Sequence, residues 1–513
     1  MEQINLAVQI PLSLANLTQF SYLDLSWNQL TGQVPSWLTN LTQITALHLS
    51  FNQLQGPIPI SISKLENLKT LNLDSNNLSG IVSLDIFLKL KYLTKLRLSS
   101  NNISFHQMGS TNATQNKFEA LGLASCNLIH FPNFFRNQDH LQFLDLSNNR
   151  IHGLIPKWVR YTSKETLSFL NFSHNFLIGF DQHLVNFPWL QLQILDLRFN
   201  KLQALPQIPP PATTVYLVAN NMIQEQIPPQ ICSLSSLYSI DLSNNKFRGI
   251  LPDCLRNFSS SLSILNLRGN NFHGVIPQLC AKGSIIKMID LSQNQFTGIL
   301  PRSLSDCRML EILNLGSNQL KDVFPSWLGT LPELSVLILR HNGFHGVVGC
   351  PTTMFEAPKL HILDLSANKF TGKLPFKYFR NWKFVKDDTN NFTHMRAFRL
   401  FPLAGFFMHE YYPYSMVITN KGQETMYSMI IEALAIIDLS SNEFIAEIPE
   451  FIGSLNGFQL LNQSKNNLFG HIPISLGNLT MLECLDLSQN KLSRTITLAT
   501  YTTHFPCFLQ CLT

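Results

Sequence analysis

The chain repeats the pattern Leu-x-Leu-x-x-Asn at a nearly constant spacing of 24 residues along most of its 513 residues. Each copy predicts a short strand whose two Leu side chains point into a shared core. One copy alone cannot bury those side chains, so the units must stack, and this excludes a division into three or four globular domains. The Asn positions are Asn28, Asn52, Asn76, Asn101, Asn149, Asn175, Asn200, Asn220, Asn245, Asn270, Asn294, Asn318, Asn342, Asn368, Asn442, Asn466 and Asn490, with Cys126 in one further slot.

The repeated polar residues are interpreted as parts of the scaffold. The Asn lies where the chain leaves the strand, and its amide can donate to and accept from backbone groups that no strand ladder satisfies. An Asp also recurs between the two Leu residues, and a residue repeated by the fold is interpreted as structural rather than as one of a catalytic carboxylate pair. Its positions are Asp24, Asp145, Asp196, Asp241, Asp290, Asp364, Asp438 and Asp486.

After the Asn, most units continue with a Gly-x-x-Pro segment, as in Gly32-Gln-Val-Pro35, Gly274-Val-Ile-Pro277 and Gly470-His-Ile-Pro473. The chain here resembles the plant-specific class of leucine-rich repeats, and the resemblance implies a second sheet and a twisted solenoid. The predicted fold is therefore an α/β-type solenoid, a leucine-rich-repeat superhelix with a parallel β-sheet on its concave face. We expect about 18 repeats with one island insertion.

The insertion separates Asn368 from Asn442 by 74 residues instead of 24. Its aromatic cluster, Phe406, Phe407, Tyr411, Tyr412 and Tyr414, argues for an ordered island. The predicted division is leucine-rich repeats in residues 1–375 (about 15 units), an island domain in 376–432, three further repeats in 433–493 and a divergent tail in 494–513.

Several stretches resemble plant leucine-rich-repeat receptor-like proteins of the resistance-protein and xylanase-receptor type. They are Leu205-Pro-Gln-Ile-Pro-Pro-Pro211, Cys254-Leu-Arg-Asn-Phe-Ser259, Phe324-Pro-Ser-Trp-Leu-Gly329, Thr419-Asn-Lys-Gly422 and Ile437-Asp-Leu-Ser-Ser-Asn442. The resemblance extends from about Leu12 to Leu492. It implies a cell-surface receptor in immunity or development that has no kinase domain and signals through partner receptor kinases.

The resemblance also implies roles for particular segments. Lys421 and Tyr427 match a Lys-x5-Tyr motif that the family carries in its island and that is implicated in signalling assembly. Residues 434–492 correspond to the region where the family meets its co-receptor kinase. We expect plasma-membrane localisation, on the extracellular face, for the full-length family form.

Ligand contacts are expected where outward residues beside the Leu pair depart from the Asp, Ser and Asn that usually fill them. Aromatic and Arg side chains are common anchors of interfaces. The candidates are Trp27, His48, Phe51, Arg97, Arg198, Phe199, Tyr216, Tyr238, Arg268, Arg340 and His341, and Lys95, Phe143 and His174 depart in the same way. The expected ligand is an extracellular peptide, protein or glycan.

The remaining chemistry points away from catalysis. There is no phosphate loop, nucleophile elbow, His-Glu-x-x-His or kinase catalytic-loop pattern, so we predict no enzyme activity, no catalytic residues and no cofactor. A net charge of +5 without basic runs indicates no nucleic-acid partner. No Cys-x-x-Cys stands beside paired His or Cys, so no metal site is expected. Cys232 with Cys254, and Cys280 with Cys307, are spaced so that each pair could bridge neighbouring units, which spacing alone leaves open.

Candidate glycosylation sites occur at a frequency close to chance, so the expectation of secretion depends on the family resemblance. The sites are Asn16, Asn40, Asn77, Asn102, Asn112, Asn171, Asn257, Asn391, Asn462 and Asn478. Neither a signal peptide nor a transmembrane run is visible, so we expect part of a longer receptor, truncated at both ends. The alternatives are a non-functional remnant, or a secreted leucine-rich-repeat inhibitor of a microbial cell-wall-degrading enzyme.

Overall fold

The computed structural model describes ten stretches of the chain. They are residues 9–105, 116–181, 187–205, 209–258, 260–348, 357–375, 393–403, 406–420, 423–455 and 457–493. The chain divides into two compact units, the first comprising Met1–Gln224 with Phe401–Met408, and the second Glu225–Leu400 with His409–Thr513.

Within the described residues, each unit contains nine three-residue strands that pair in parallel with their neighbours of the same unit. In the first unit these strands are Tyr22–Asp24, Ala46–His48, Thr70–Asn72, Lys95–Arg97, Ala120–Gly122, Phe143–Asp145, Phe169–Asn171, Ile194–Asp196 and Val215–Leu217. In the second they are Ser239–Asp241, Ile264–Asn266, Met288–Asp290, Ile312–Asn314, Val336–Ile338, Ile362–Asp364, Ile436–Asp438, Leu460–Asn462 and Cys484–Asp486. The middle residue of each strand points into the core, and its two neighbours lie on the opposite side, here called the concave face. The predicted leucine-rich-repeat solenoid is confirmed.

The recurring Asn side chain closes the turn that follows each strand. The Nδ2 of Asn294 donates to the carbonyl oxygens of Leu291 (3.2 Å) and Ser292 (3.1 Å) in its own repeat and of Leu267 (2.9 Å) in the preceding one. Its Oδ1 accepts the backbone N–H of Phe272 at 3.1 Å. One amide thus satisfies backbone groups of two adjacent repeats, and the predicted structural role of this Asn is confirmed.

One position in this series is shifted by a residue. The Nδ2 of Asn221, not of Asn220, donates to the carbonyl oxygens of Leu197 and Val218 (3.0 Å each). Asn220 instead occupies the preceding turn, with φ of 56°. The prediction of Asn220 was wrong because the two Asn are adjacent and Tyr216 stands where this repeat should have its first Leu.

Tyr216 pairs in register with Leu195 of the preceding strand. It is only 6% exposed, so its ring belongs to the core. The prediction that Tyr216 faces a ligand on the concave face is therefore wrong.

The cysteine pairs that the sequence spacing allowed are bonded in the structure. Disulfides join Cys232 to Cys254 and Cys280 to Cys307, with Cα atoms 5.9 and 5.6 Å apart. Each links neighbouring repeats of the second unit, as their spacing allowed. Cys126 fills the slot of the recurring Asn as predicted, and its Sγ lies 3.4 Å from the carbonyl oxygen of Ala124.

Short parallel strands form further sheets beyond the turns. In the first unit they are Gln55–Gly56, Asn77–Val82, Asn102–Phe105, His152–Ile155 and Phe176–Phe180. In the second they are Arg248–Gly249, Asn271–Val275, Gln295–Gly298, Gln319–Leu320, His345–Val347, Lys369–Gly372, Glu443–Phe444, Phe469–Gly470 and Lys491–Leu492. The Gly of the Gly-x-x-Pro segment is required here: Gly274 has φ of +82°, and a Cβ atom would lie 2.9 Å from the Cγ2 of Ile250.

Most repeats then form a single 3-10 turn, often directly after a Pro that fixes the extended entry. These turns are Leu12–Asn16, Ser36–Asn40, Ile60–Lys64, Asn133–Asn137, Lys157–Tyr161, Pro229–Ser233, Asp253–Phe258, Arg302–Asp306, Ser326–Thr330, Glu450–Ser454 and Ile474–Asn478. One α-helical turn is Asp85–Leu88. Between the repeats at Asp364 and Asp438 lie the strands Arg396–Leu403, Phe406–Pro413, Met416–Asn420 and Gln423–Tyr427.

Because Asn220 and Asn221 are adjacent, substituting each in turn tests which of the two closes the turn. We expect Asn221→Ala to lower the free energy of unfolding by about 2–4 kcal/mol, because it leaves several backbone groups without partners. Asn220→Ala should cost less, because the contacts to Leu197 and Val218 belong to Asn221. Urea denaturation of both variants measures the difference. Equal losses would contradict the assignment of the amide contacts to Asn221.

Candidate functional site

The concave face carries two in-register rows of outward side chains. In the first unit the row before each buried central residue is Tyr22, Ala46, Thr70, Lys95, Ala120, Phe143, Phe169, Ile194 and Val215. The row after it is Asp24, His48, Asn72, Arg97, Gly122, Asp145, Asn171, Asp196 and Leu217. Phe143 and Phe169 stack with ring centroids 4.4 Å apart and are buried, so the predicted exposure of Phe143 was wrong.

The recurring Asp ends its strand rather than forming a reactive pair. The Oδ1 of Asp290 accepts the backbone N–H of Ser292 at 2.9 Å and its hydroxyl at 2.6 Å. Asn314, at the same position one repeat later, accepts the N–H of Gly316 at 3.1 Å in the same way. Because an uncharged amide replaces the carboxylate in the same contact, the geometry supports the scaffold interpretation.

Two of these carboxylates are neighbours in the second unit. Asp364 and Asp438 are paired in register on adjacent strands, and both are buried. Burial first and the Asp364 carboxylate second raise the pKa of Asp438 to about 7, against the opposing effect of hydrogen bonds from Ser440 and Asn462. Asp438 therefore retains its proton at mildly acidic pH when the chain is folded.

The raised pKa of Asp438 makes stability depend on pH. Between about pH 4 and 7 the folded chain binds more protons than the unfolded chain, so the free energy of unfolding falls as pH rises. We expect Asp438→Asn to remove part of this decline, on the order of 1–3 kcal/mol. Urea denaturation at several pH values measures it.

Asp486→Asn is the control, since Asp486 has the same position beside Asn462 instead of a second carboxylate. If the Asp438→Asn profile ran parallel to that of the unmodified chain, the pKa of Asp438 would not be raised.

The candidate arginines of the first unit are tied to buried carboxylates. The Nε of Arg97 lies 2.5 Å from the Oδ2 of Asp74, and the guanidinium carbon lies 5.2 Å from the ring centroid of Phe143. The Nη2 of Arg198 lies 2.7 Å from the Oδ2 of Asp196. Both arginine side chains remain 29% exposed, so each is held in place while part of it faces solvent.

Four candidates lie beyond the strands. Trp27, Phe51, Phe199 and His341 occupy the turn just before the recurring Asn, where the backbone is left-handed (φ 50–57°). Their rings are exposed beside the concave face, so the prediction that they lie at strand positions was wrong. His174 shares this turn position and stacks on Phe199 at 4.2 Å.

His48 lies on its strand as predicted. Its ring is half-buried, with its centroid 5.5 Å from that of Tyr22. Burial lowers the pKa of His48, with Asp24 opposing and Arg97 adding to that effect. The imidazole is therefore less readily protonated than an exposed histidine.

In the second unit, part of the inserted segment lies on the concave face. The strands Met416–Asn420 and Gln423–Tyr427 pair in antiparallel register and are called the island hairpin below. Just before them, the Tyr412 hydroxyl donates to the Oδ2 of Asp241 and accepts from the Nδ2 of Asn266, both at 2.8 Å. Tyr412 thus anchors the segment to two adjacent repeats.

Apolar burial extends this contact. Tyr414 and Met416 are fully buried, and burial together with the nearby Glu311 raises the pKa of the Tyr414 hydroxyl. Arg268 and Arg340 line a small cavity together with Val417 of the island hairpin. The island hairpin therefore covers part of the concave face of this unit.

Three predicted ligand residues lie under or beside this cover. Tyr238 contributes to the electrostatic environment of Tyr414, the Nη1 of Arg268 lies 3.0 Å from the Sδ of Met426, and Arg340 is 4% exposed. The expected exposure of Arg340 was therefore wrong, whereas Tyr238 and Arg268 are half-buried beside the island hairpin. The inserted segment reaches them from far along the chain, as Met426 reaches Arg268 across 158 residues, and the repeat pattern contains no information about such a contact.

Of the Lys-x5-Tyr motif predicted in the island, the structure describes Tyr427. Lys421 lies outside the described residues. Tyr427 is half-buried at the end of the island hairpin, in register with Met416. Their joint role stays a prediction, as do the proposed island limits 376–432.

The candidate glycosylation sites differ in accessibility. Asn16, Asn40, Asn77, Asn102, Asn257 and Asn478 are exposed. Asn112 and Asn391 lie outside the described residues, and Asn171 is half-buried. Asn462 is buried and its Nδ2 donates to the Oδ2 of Asp438 at 3.1 Å, so the folded chain does not present this amide for modification.

The anchoring role of Tyr412 is testable. We expect Tyr412→Phe to remove both hydrogen bonds while keeping the ring, and to raise amide hydrogen exchange in the island hairpin about tenfold, corresponding to about 1–2 kcal/mol. Exchange at the repeat strands should not change. Unaltered hairpin exchange in Tyr412→Phe would show that the contacts to Asp241 and Asn266 do not hold the segment.

The ten described stretches contain neither a membrane-spanning helix nor a cluster of metal ligands. No helix in them has the length and apolar character needed to cross a bilayer. They contain no group of three or more His, Cys, Asp or Glu residues arranged to hold a metal ion.

Family models match several repeats. Models described as leucine rich repeat match residues 260–320 and 286–344, and residues 19–41, 43–65, 67–87, 140–161 and 236–258. Receptor-like protein 7 of Arabidopsis thaliana is 42% identical over 385 residues, covering 74% of this chain and 39% of that protein. Receptor-like protein 53 of the same plant is 37% identical over 388 residues, covering 74% and 36%. The chain spans less than half the length of these curated relatives.

Solved structures share the fold. The plant peptide hormone receptor RGFR1, in complex with RGF2, has a TM-score of 0.69 at 22% identity, covering 95% of this chain and 70% of that one. The Arabidopsis receptor kinase HAESA, in complex with the peptide hormone IDA and the co-receptor SERK1, has a TM-score of 0.64 at 24% identity, covering 96% and 73%.

Proposed function

The chain belongs to the plant leucine-rich-repeat receptor-like proteins, and from that premise we propose that it supplies an extracellular ligand-recognition surface of such a receptor. In this proposal the receptor acts in plant immunity or development at the plasma membrane. It has no kinase domain of its own and signals through partner receptor kinases. The ligand is an extracellular peptide, protein or glycan.

The observation that carries the proposal is a set of exposed side chains that the repeat scaffold does not need. The turn before the recurring Asn is filled by Ser, Asn, Gln, Ala or Lys in most repeats. Trp27, Phe51 and Phe199 instead expose large rings at this position, and such rings are frequent anchors of interfaces. Arg97 and Arg198 add partly exposed guanidinium groups on the same unit.

Co-receptor assembly is proposed for the last three repeats, residues 434–492, with Lys421 and Tyr427 taking part. Support comes from the family resemblance and from HAESA, whose solved complex includes the co-receptor SERK1. Lys465 and Gln489 are exposed at the turn position of these repeats and offer a surface on which the contact can be altered without touching the core.

We expect the secreted full chain to capture the SERK1 ectodomain in the presence of an extracellular fluid fraction from elicited leaves, measured by biolayer interferometry. Lys465→Glu combined with Gln489→Glu should weaken capture at least tenfold, because introduced charges at a contact are desolvated without partners. Lys64→Glu, on an exposed 3-10 turn of the first unit, should leave it unchanged. Capture that is independent of the fraction, or equal in both variants, would contradict the proposal.

A further inference from the structure

We propose that the first unit binds a neutral oligosaccharide on an aromatic platform formed by Trp27 and Phe51 and in the groove beside it. The inference rests on the proposed recognition function and deepens it by naming the ligand class. It concerns residues of the first unit alone and is independent of the island hairpin.

The aromatic platform is the pair of rings at successive turn positions. Trp27 and Phe51 stack with centroids 3.7 Å apart and an interplanar angle of 9°. They are 59% and 39% exposed, so the pair presents its apolar surface to solvent. At the next two turn positions Ser75 and Ser100 replace the rings. Along this row of turn positions, large aromatic side chains are therefore followed by small hydroxyl side chains.

A groove lies beside these turns: Ser75, Ser100 and Asn52, the residue after Phe51, line it, and the two rings are outside its lining. It is an open depression of about 570 Å³, within the usual size of small-molecule sites. Its lining residues are Thr31, Asn52, Gln53, Gln55, Ser75, Asn76, Asn77 and Ser100. All eight are uncharged and end in an amide or a hydroxyl group.

The residues that line the groove come from equivalent positions of adjacent repeats. Thr31 and Gln55 are equivalent positions one repeat apart, as are Gln53 and Asn77. Adjacent parallel strands lie about 4.8 Å apart, so equivalent polar groups recur at about that spacing along the groove. This distance is close to the length of one pyranose ring, so a chain of sugar units meets the same donors and acceptors repeatedly.

The chemistry of the lining selects the ligand class. An aromatic face carries partial negative charge and attracts the C–H groups of a sugar ring's apolar face. The amides of Asn52 and Asn76 are engaged by backbone groups of the repeats. The other six lining side chains end in groups that both donate and accept, as sugar hydroxyls do. The lining residues offer no cation for a phosphate or carboxylate. A neutral oligosaccharide satisfies both the platform and the groove.

One lining residue needs separate control. Asn77 begins an Asn-Leu-Ser sequence and is exposed, so a glycan attached to the protein itself at this position would enter the groove. The binding assay therefore uses the full chain carrying Asn77→Gln, which keeps an amide in the groove and removes the attachment site.

The test replaces each ring by the residue that the fold itself uses at this turn. Ser occupies the same left-handed turn at Ser75 and Ser100, so Trp27→Ser and Phe51→Ser are compatible with folding. Phe199→Ser is the matched control, because Phe199 has the same turn position and is also exposed but lies six repeats along the chain from Phe51. Circular dichroism and urea denaturation verify that all three variants fold.

The probes are hexamers of β-1,4-linked glucose, β-1,3-linked glucose and β-1,4-linked N-acetylglucosamine, with an anionic hexagalacturonate for comparison. Isothermal titration calorimetry measures the affinity of each probe for the protein. We expect saturable binding of at least one neutral hexamer, at least tenfold weaker in Trp27→Ser and Phe51→Ser and unchanged in Phe199→Ser. Absence of binding to every neutral hexamer, preference for the anionic one, or equal loss in Phe199→Ser overturns the proposal. If SERK1 capture remains dependent on the extracellular fluid fraction in Trp27→Ser, recognition persists and only the oligosaccharide site is rejected.

Discussion

The amide of the recurring Asn is the interaction on which the solenoid depends. A strand of three residues leaves backbone donors and acceptors at its end that no ladder satisfies, and their burial without partners is costly. The Asn294 side chain satisfies such groups in its own repeat and in the preceding one. Since each amide joins two repeats, stacking and turn formation stabilise each other, and the Leu core is closed by the same contact.

The need to satisfy backbone groups at the strand ends also limits which residues can vary on the concave face. Asp290 and Asn314 end their strands with equivalent hydrogen bonds to the residue two positions later, so a short polar acceptor is needed there and its charge is not. Stacking such carboxylates on adjacent strands has an electrostatic consequence, seen in the raised pKa of Asp438 beside Asp364. The side chain at the turn position before the Asn is not needed to end the strand. Side chains of several types therefore occupy this turn, Trp27 and Phe51 among them.

The island hairpin changes which part of the surface is open. A plain solenoid would expose the concave face of every repeat, whereas Tyr412 and Tyr414 occupy that face in the second unit. Residues that the repeat pattern marks as ligand contacts, such as Arg340, are instead covered by a segment of the same chain. In the described part of the chain, Trp27 and Phe51 of the first unit are exposed, and they lie beside a groove lined by amides and hydroxyls.

The sequence by itself determined the repeat fold and the role of the recurring Asn and Asp, because each depends on contacts between neighbouring repeats at nearly constant spacing. It allowed the two disulfide pairs, which the structure then showed. It could not place Tyr216, Asn220 or Phe143 correctly, because a one-residue shift of register or a stacked neighbour exchanges core and surface. Only the tertiary structure decided that Tyr412 reaches Asp241 and that Trp27 stacks on Phe51. The first contact joins residues 171 positions apart, and the second requires the left-handed turn geometry that brings side chains of adjacent repeats together.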